Sequence, residues 1–113
     1  MCGISGIVNQ DGRVVDPVAL KTMGEALRRR GPEDSGIYIQ SNRCCGSHGA
    51  RAGLGQQHLS IIDLSLSAHQ PMCSENGKIW LTYNGEIYNY KDLRRDLEVK
   101  GHRFRSDSDT EVV

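Results

Sequence analysis

A cysteine follows the initiator methionine directly, at the start of the segment MCGISGIV. Met1 is usually removed before a small second residue, and its removal would leave Cys2 with a thiol and a free α-amine. The ordinary pKa of an α-amine is about 7.7 to 8, so near neutral pH part of it is unprotonated and able to take the thiol proton. The pattern favours a nucleophile that carries its own base, with Gly3 leaving the sulfur accessible. For a cysteine at this position taken alone, a thiol without a chemical role is the alternative.

An asparagine–glycine pair, Asn84 and Gly85, follows the apolar segment KIWLTY, which reads as a strand. The side-chain amide and the unhindered backbone N–H of such a pair are able to converge on one negatively charged oxygen, as an oxyanion hole requires. Asn-Gly is also a strong signal for a tight hairpin turn. The pair taken alone therefore leaves both interpretations open.

The composition limits the classes of partner. The chain has 113 residues, enough for one domain, and its 14 basic and 14 acidic side chains give no bias toward nucleic acid or an anionic membrane. No apolar run approaches the roughly 20 residues that cross a bilayer, and the start lacks the features of a signal peptide. The cytoplasm is the expected location, and there cysteines are expected as thiols rather than disulfides. The cysteines are Cys2, Cys44, Cys45 and Cys73.

A metal-binding module is a weak alternative. Cys44 and Cys45 are adjacent, whereas structural zinc sites favour cysteines two to four residues apart. His48, His69 and Cys73 would complete a site only by chance. No metal is therefore expected in the chain.

The first third of the chain predicts a hairpin followed by a helix. The β-branched run at 4–8 ends at the turn signal Asp11-Gly12, and residues 14–15 are expected to form the returning strand. Asp16-Pro17 predicts the start of a helix that ends near Gly31-Pro32. Its core-facing positions are Leu20, Met23 and Leu27.

The remaining sequence predicts further strands and a second helix. Strands are expected at GIYIQ, HLSIID and KIWLTY, the last introduced by the turn Asn76-Gly77, and a loop over the glycine-rich segment NRCCGSHGARAGLG. Asn89 is expected to cap a helix that closes at Lys100-Gly101. Ser108 and Glu111 have the spacing of a capping box, which predicts one more helix start close to the last residue. That pattern predicts a truncated domain.

Several motifs, in this order, resemble those of one family. They are MCGISGIV, RGPEDSG, HLSIIDLSLSAHQPM, YNGEIYNY and SDSDTEVV. Over its whole length the chain resembles the glutaminase domain of glutamine-hydrolysing asparagine synthetase, a class II glutamine amidotransferase. Relatives that make glucosamine phosphate or phosphoribosylamine share MCGI and an Asn-Gly pair, but fit the other motifs less well. The resemblance implies an α+β fold, the αββα sandwich of N-terminal-nucleophile (Ntn) hydrolases, with residues 1–113 as its N-terminal portion only.

The resemblance also implies a role for each matching residue. Cys2 would attack the side-chain amide of glutamine to form a γ-glutamyl thioester and release ammonia, and water would then free glutamate. Asn84, through its side chain, and Gly85, through its N–H, would stabilise the oxyanion. Glu86 and Asp109 would hold the α-ammonium, which suits carboxylates ionised at neutral pH. The implied pocket wall contains Leu59, Ile61 and Ile62.

One substrate-binding position departs from the family pattern. His58 stands where the pattern has an arginine that binds the α-carboxylate of glutamine. An imidazole has fewer donors than a guanidinium, and with an ordinary pKa of about 6.5 it is mostly neutral at pH 7. The change predicts weak binding of glutamine.

The expected partners are glutamine and an ATP-dependent synthetase domain or subunit. No cofactor is expected in this chain, because ATP and Mg²⁺ would belong to the synthetase domain, which the sequence lacks. A homo-oligomer is left open. A truncated, non-catalytic remnant or interaction module of the same family is the second interpretation.

Overall fold

The computed structural model describes residues 2–32, 34–41, 51–58 and 69–113, with the side chain of His58 left out. The strands are β1 (Gly3–Asn9), β2 (Asp34–Ile39), β3 (Arg51–His58), β4 (Met72–Cys73) and β5 (Trp80–Leu81). The helices are α1 (Pro17–Leu27) and α2 (Tyr90–Val99), with 3-10 turns at Arg28–Arg30 and Asp109–Val112. Antiparallel sheets with separate helices confirm the α+β class. None of the helices described is long and apolar enough to cross a membrane.

The first strand belongs to a three-stranded antiparallel sheet, in which β3 lies between β1 and β2. Gly3 pairs with Gln57, so the residue before β1 lies at the sheet end where β3 finishes. The helix α1 packs on one face of this sheet. A Cβ added at Gly53 would lie 2.8 Å from the Val15 side chain and 3.2 Å from that of Leu20. Glycine at position 53 therefore leaves room for Val15 and for Leu20 of α1.

The central strand corrects the predicted glycine-rich loop. Residues 51–55 of that segment belong to β3, and residues 42–50 lie outside the described residues. Gly53 and Gly55 alternate along the strand and face α1, where Leu20 is fully buried. Glycine at these positions provides space for packing, and the strand keeps its pairing on both sides.

The predicted return strand at residues 14–15 is wrong. The turn forms, with Gly12 at a φ of 76°, but β1 pairs with β3 instead of the following segment. The Asn9 side chain donates to the carbonyls of Arg13 and Val14 at 3.1 and 3.2 Å and holds this segment. Val15 is then free to bury its side chain completely in the core.

A second, two-stranded sheet of β4 and β5 covers the other face of β2. Tyr38 stacks on Trp80 with ring centroids 3.8 Å apart and planes 12° from parallel. The predicted strand KIWLTY is confirmed only at Trp80–Leu81. Thr82 and Tyr83 lie beyond the end of the sheet and bind buried glutamine side chains. The predicted strand HLSIID is described only at His58, the last residue of β3.

Both predicted helices form. Asp16 caps α1 by accepting the N–H of Val18 at 2.9 Å, as its position before proline predicted. The end of α2 at Gly101, with a φ of 95°, is also confirmed. Asn89 stands at the cap position of α2, but its side chain makes no capping hydrogen bond within the described part of the chain.

Candidate active site

The side chain of Asn84 lies against Cys2. Its Nδ2 donates to the backbone carbonyl of Cys2 at 3.0 Å, across 82 residues of sequence. Cys2 is half-buried and Asn84 is exposed. An amide nitrogen carries two N–H groups, and this bond uses only one of them. The structure thus brings together the predicted nucleophile and one predicted oxyanion donor.

The pair Asn84-Gly85 is not a hairpin turn. The hairpin between β4 and β5 is made by the other such pair in this region, Asn76-Gly77, with Gly77 at a φ of 69°. Gly85 does not have the positive φ that this turn type requires, and the chain continues from it into α2. A Cβ at Gly85 would overlap the phenol ring of Tyr83, so a larger residue there would require this ring to move. The hairpin-turn interpretation of this pair is therefore wrong, and the oxyanion role stays a prediction.

Asp109 lies beside the same segment. Its Oδ2 accepts the backbone N–H of Ile87 at 2.8 Å, and only 6% of the residue is exposed. Glu86, the residue before Ile87, is exposed. The Asp109 carboxylate therefore lies next to the backbone of the residue that follows Glu86.

The capping box predicted at Ser108 and Glu111 forms only at its serine half. The Ser108 hydroxyl accepts the N–H of Thr110 at 3.2 Å, as a helix cap does. Glu111 does not return to Ser108 but accepts the N–H groups of Arg105 and Ser106 at 2.7 and 2.8 Å. The result is a 3-10 turn over Asp109–Val112 tied to the segment before it. Asp109 is the first residue of that turn.

Two buried glutamines, which sequence reasoning missed, bind the peptide groups of Tyr83. Gln70 Oε1 accepts the N–H of Tyr83 at 2.7 Å, and Gln56 Nε2 donates to its carbonyl at 3.3 Å. The hydroxyl of Thr82 donates to Gln56 Oε1. Both glutamines are 2% exposed, and they fix the backbone one residue before Asn84. For Gln56, the sequence indicated a special role only through a polar residue at a core position of the segment LGQQH. No local sequence pattern indicated the role of Gln70.

The family is decided by comparison with known proteins. A family model described as "Glutamine amidotransferase domain" matches residues 1–113, the whole chain. The chain belongs to the glutamine amidotransferase domain family. The predicted resemblance is thereby confirmed.

This glutamine amidotransferase domain is similar to several curated asparagine synthetases. It is 39% identical over 116 residues to "Asparagine synthetase [glutamine-hydrolyzing] 1" of Bacillus subtilis, covering 100% of the chain and 17% of that protein. It is 37% identical over 114 residues to the corresponding protein 1 of Arabidopsis thaliana, covering 100% and 18%. The protein named "Asparagine synthetase [glutamine-hydrolyzing]" of Brassica oleracea is 38% identical over 114 residues, covering 100% and 17%. The chain therefore spans less than a fifth of the length of each relative.

Four residues of this glutamine amidotransferase domain that were predicted to bind substrate are described by the structure only in part or not at all. Leu59, Ile61 and Ile62 lie outside the described residues, and only the backbone of His58 is described. That backbone is one residue beyond Gln57, the partner of Gly3, which brings it to the same end of the sheet as Cys2.

The alternative metal module finds no support in the described ranges. No group of three or more His, Cys, Asp or Glu side chains is placed there to hold a metal ion. Its candidate ligands Cys44, Cys45 and His48 lie outside these ranges. His69 Nδ1 instead lies within hydrogen-bond distance of Asp34 Oδ2, at 2.6 Å.

The described contacts connect three chemical groups, because Asn84 binds Cys2 and Asp109 binds Ile87, three residues after Asn84. Cys2 brings a nucleophilic thiol, Asn84 an amide donor, and Asp109 a buried carboxylate. A thiol with a nearby donor suits attack on a carbonyl carbon, and a carboxylate suits an ammonium group of the same substrate.

Proposed function

We propose that this chain hydrolyses the side-chain amide of glutamine, with an Ntn hydrolase mechanism. After removal of Met1, the α-amine of Cys2 takes the thiol proton, and the sulfur attacks the amide carbon. The tetrahedral intermediate collapses when the amide nitrogen receives that proton from the α-ammonium and leaves as ammonia. Water, losing a proton to the same amine, then attacks the thioester, and glutamate leaves as the thiol re-forms.

The hydrogen bond from Asn84 to the Cys2 carbonyl carries this proposal. It sets the amide within reach of the residue that attacks, where its second N–H and the N–H of Gly85 would stabilise the oxyanion. Membership of the glutamine amidotransferase domain family and the glutamine-hydrolysing names of the relatives support the same reaction.

Substrate binding is proposed to use both carboxylates and the segment after β3. Asp109, fixed by Ile87 and by its 3-10 turn, would bind the α-ammonium together with Glu86. His58 would meet the α-carboxylate, and the pocket wall would include the segment 59–62.

The proposed setting is an asparagine synthetase. Residues 1–113 would be part of a class II glutamine amidotransferase domain with the αββα sandwich, which the stacking of Tyr38 on Trp80 between the two sheets supports. Ammonia would pass to an ATP-dependent synthetase domain or subunit, and ATP and Mg²⁺ would act there. The cytoplasm is the proposed compartment because its reducing conditions keep a nucleophilic cysteine as a thiol.

The test is glutamine hydrolysis by the purified protein. We expect equal amounts of glutamate and ammonia, and a covalent adduct of an electrophilic glutamine analogue on Cys2 in a chain that has lost Met1, seen by mass spectrometry. Cys2→Ala should abolish both signals, whereas the matched control Cys73→Ala, at the other described cysteine, should keep them. Retained Met1 and no adduct would contradict the proposal and favour the non-catalytic remnant.

A further inference from the structure

We infer that Gln70 is a positioning residue that links the two halves of the glutamine site. The inference rests on the proposed function. A single buried side chain contacts both the segment that ends in the oxyanion donors and the turn that carries the ammonium-binding carboxylate. Its amide has one acceptor and one donor group, and each is used on a different half.

The side-chain oxygen of Gln70 binds the backbone next to the proposed oxyanion donors. Its Oε1 accepts the N–H of Tyr83 at 2.7 Å, and Asn84 and Gly85 follow directly. The second sheet ends at Leu81, before these residues. Glutamine side chains therefore take the place of a neighbouring strand as hydrogen-bond partners of this backbone. The direction of the Gly85 N–H depends on this backbone.

The donor half of Gln70 holds the carboxylate. Its Nε2 donates to the Thr110 hydroxyl at 3.1 Å, and Thr110 follows Asp109 in the 3-10 turn. Thr110 is 4% exposed and Gln70 is 2% exposed, so water has little access to replace either partner of this hydrogen bond.

Gln70 is itself held firmly. Its backbone carbonyl lies so close to Gly36 of β2 that a Cβ added at Gly36 would overlap it. The side chain therefore extends from the first sheet to both parts of the site. Loss of its amide should shift the oxyanion donors and the carboxylate independently of each other.

Two substitutions distinguish the effects of the two hydrogen bonds that Gln70 makes. Gln70→Met keeps the length of the side chain and removes both hydrogen bonds, so kcat should fall about tenfold and KM should rise about three- to tenfold. Thr110→Val keeps the shape and removes only the second bond, so KM should rise while kcat stays near that of the parent. Thr110→Ser restores the hydroxyl and should restore KM.

The concentration of active sites is measured from the amount of an electrophilic glutamine analogue that reacts with Cys2. The rates are divided by this concentration, so that unfolded protein does not lower the apparent kcat. Gln57→Met is the matched control, because Gln57 is also a buried glutamine of this region but faces Gly24 of α1. It should keep both constants. The double variant of Gln70 and Thr110 should have no higher KM than Gln70→Met alone, since both changes break one link.

The outcomes distinguish this inference from the proposed function. A parent protein that does not hydrolyse glutamine contradicts the proposed function, and the inference falls with it. An active parent with unchanged constants in Gln70→Met overturns the inference alone. Equal losses in Gln57→Met and Gln70→Met also overturn it, because they would reflect general loosening of the core.

Discussion

At the scale of single residues, two asparagine–glycine pairs in the second half of the chain have different surroundings. Asn76 accepts the N–H of Lys78 at 3.0 Å within its own hairpin, whereas Asn84 donates to Cys2 from 82 positions away. The same two residue types therefore form a local turn in one place and a tertiary contact in the other. This contrast supplies a matched control.

We expect Asn84→Ala to lower kcat by about 10²- to 10³-fold, because loss of one oxyanion donor typically costs about 2.7 to 4 kcal/mol. Rates of ammonia release from glutamine measure the effect. Asn76→Ala removes an amide from the other pair and should lower the melting temperature while leaving kcat unchanged. Equal rates in the two variants would contradict the role given to Asn84.

The departure at His58 predicts a second single-residue effect. Arginine offers several donors and a permanent charge to a carboxylate, so His58→Arg should lower the KM for glutamine about tenfold with little change in kcat. An unchanged KM in His58→Arg would refute this explanation of the departure.

Site residues with a characteristic chemical group could be predicted from the sequence, whereas residues whose role depends on burial and distant partners could not. Cys2 and Asn84 carry groups whose chemistry is evident from residue type. Gln56 and Gln70 are ordinary amides until burial and partners are known, and the Tyr83 peptide groups that they bind are 27 and 13 residues away. Their role arises from tertiary structure alone.

At the scale of elements, local signals predicted the helices well and the central strand poorly. Asp16 before Pro17 and the glycine after α2 act within one turn of their helix, so the sequence contains the whole interaction. The strand β3 has glycines where a strand usually has branched side chains, and the side chains that need this space, Val15, Leu20 and Ser5, lie elsewhere in the chain.

Gly53→Ala should therefore destabilise the protein by about 1 to 3 kcal/mol, because its Cβ would lie 2.8 Å from the Val15 side chain in a packed core. Urea unfolding followed by circular dichroism measures the free energy. Gly6→Ala is the matched control in the same sheet, since its Cβ would meet its nearest neighbour at an ordinary 3.6 Å. Equal destabilisation would show that strand glycines matter for some reason other than helix packing.

At the scale of the whole molecule, the candidate site lies where separate parts of the chain meet. Cys2 precedes the first sheet, Asn84 follows the second, and Asp109 follows α2. Sequence patterns predicted the parts, but only the family resemblance predicted that they share a site. Contacts between sheets are therefore expected to affect activity without touching the substrate.

The stacking of Tyr38 on Trp80 tests this expectation. The pair joins β2 to β5, and Asn84 lies three residues beyond the end of β5. A double-mutant cycle of alanine variants should give a coupling free energy of about 0.5 to 1.5 kcal/mol from unfolding curves. Each single variant should also lower kcat at temperatures where the protein stays folded, because Asn84 is held less firmly against Cys2. Tyr88→Ala, at a tyrosine that is 89% exposed, is the control and should change neither quantity. If Trp80→Ala kept full kcat, the contact between Asn84 and Cys2 would have to be maintained by the buried glutamines alone.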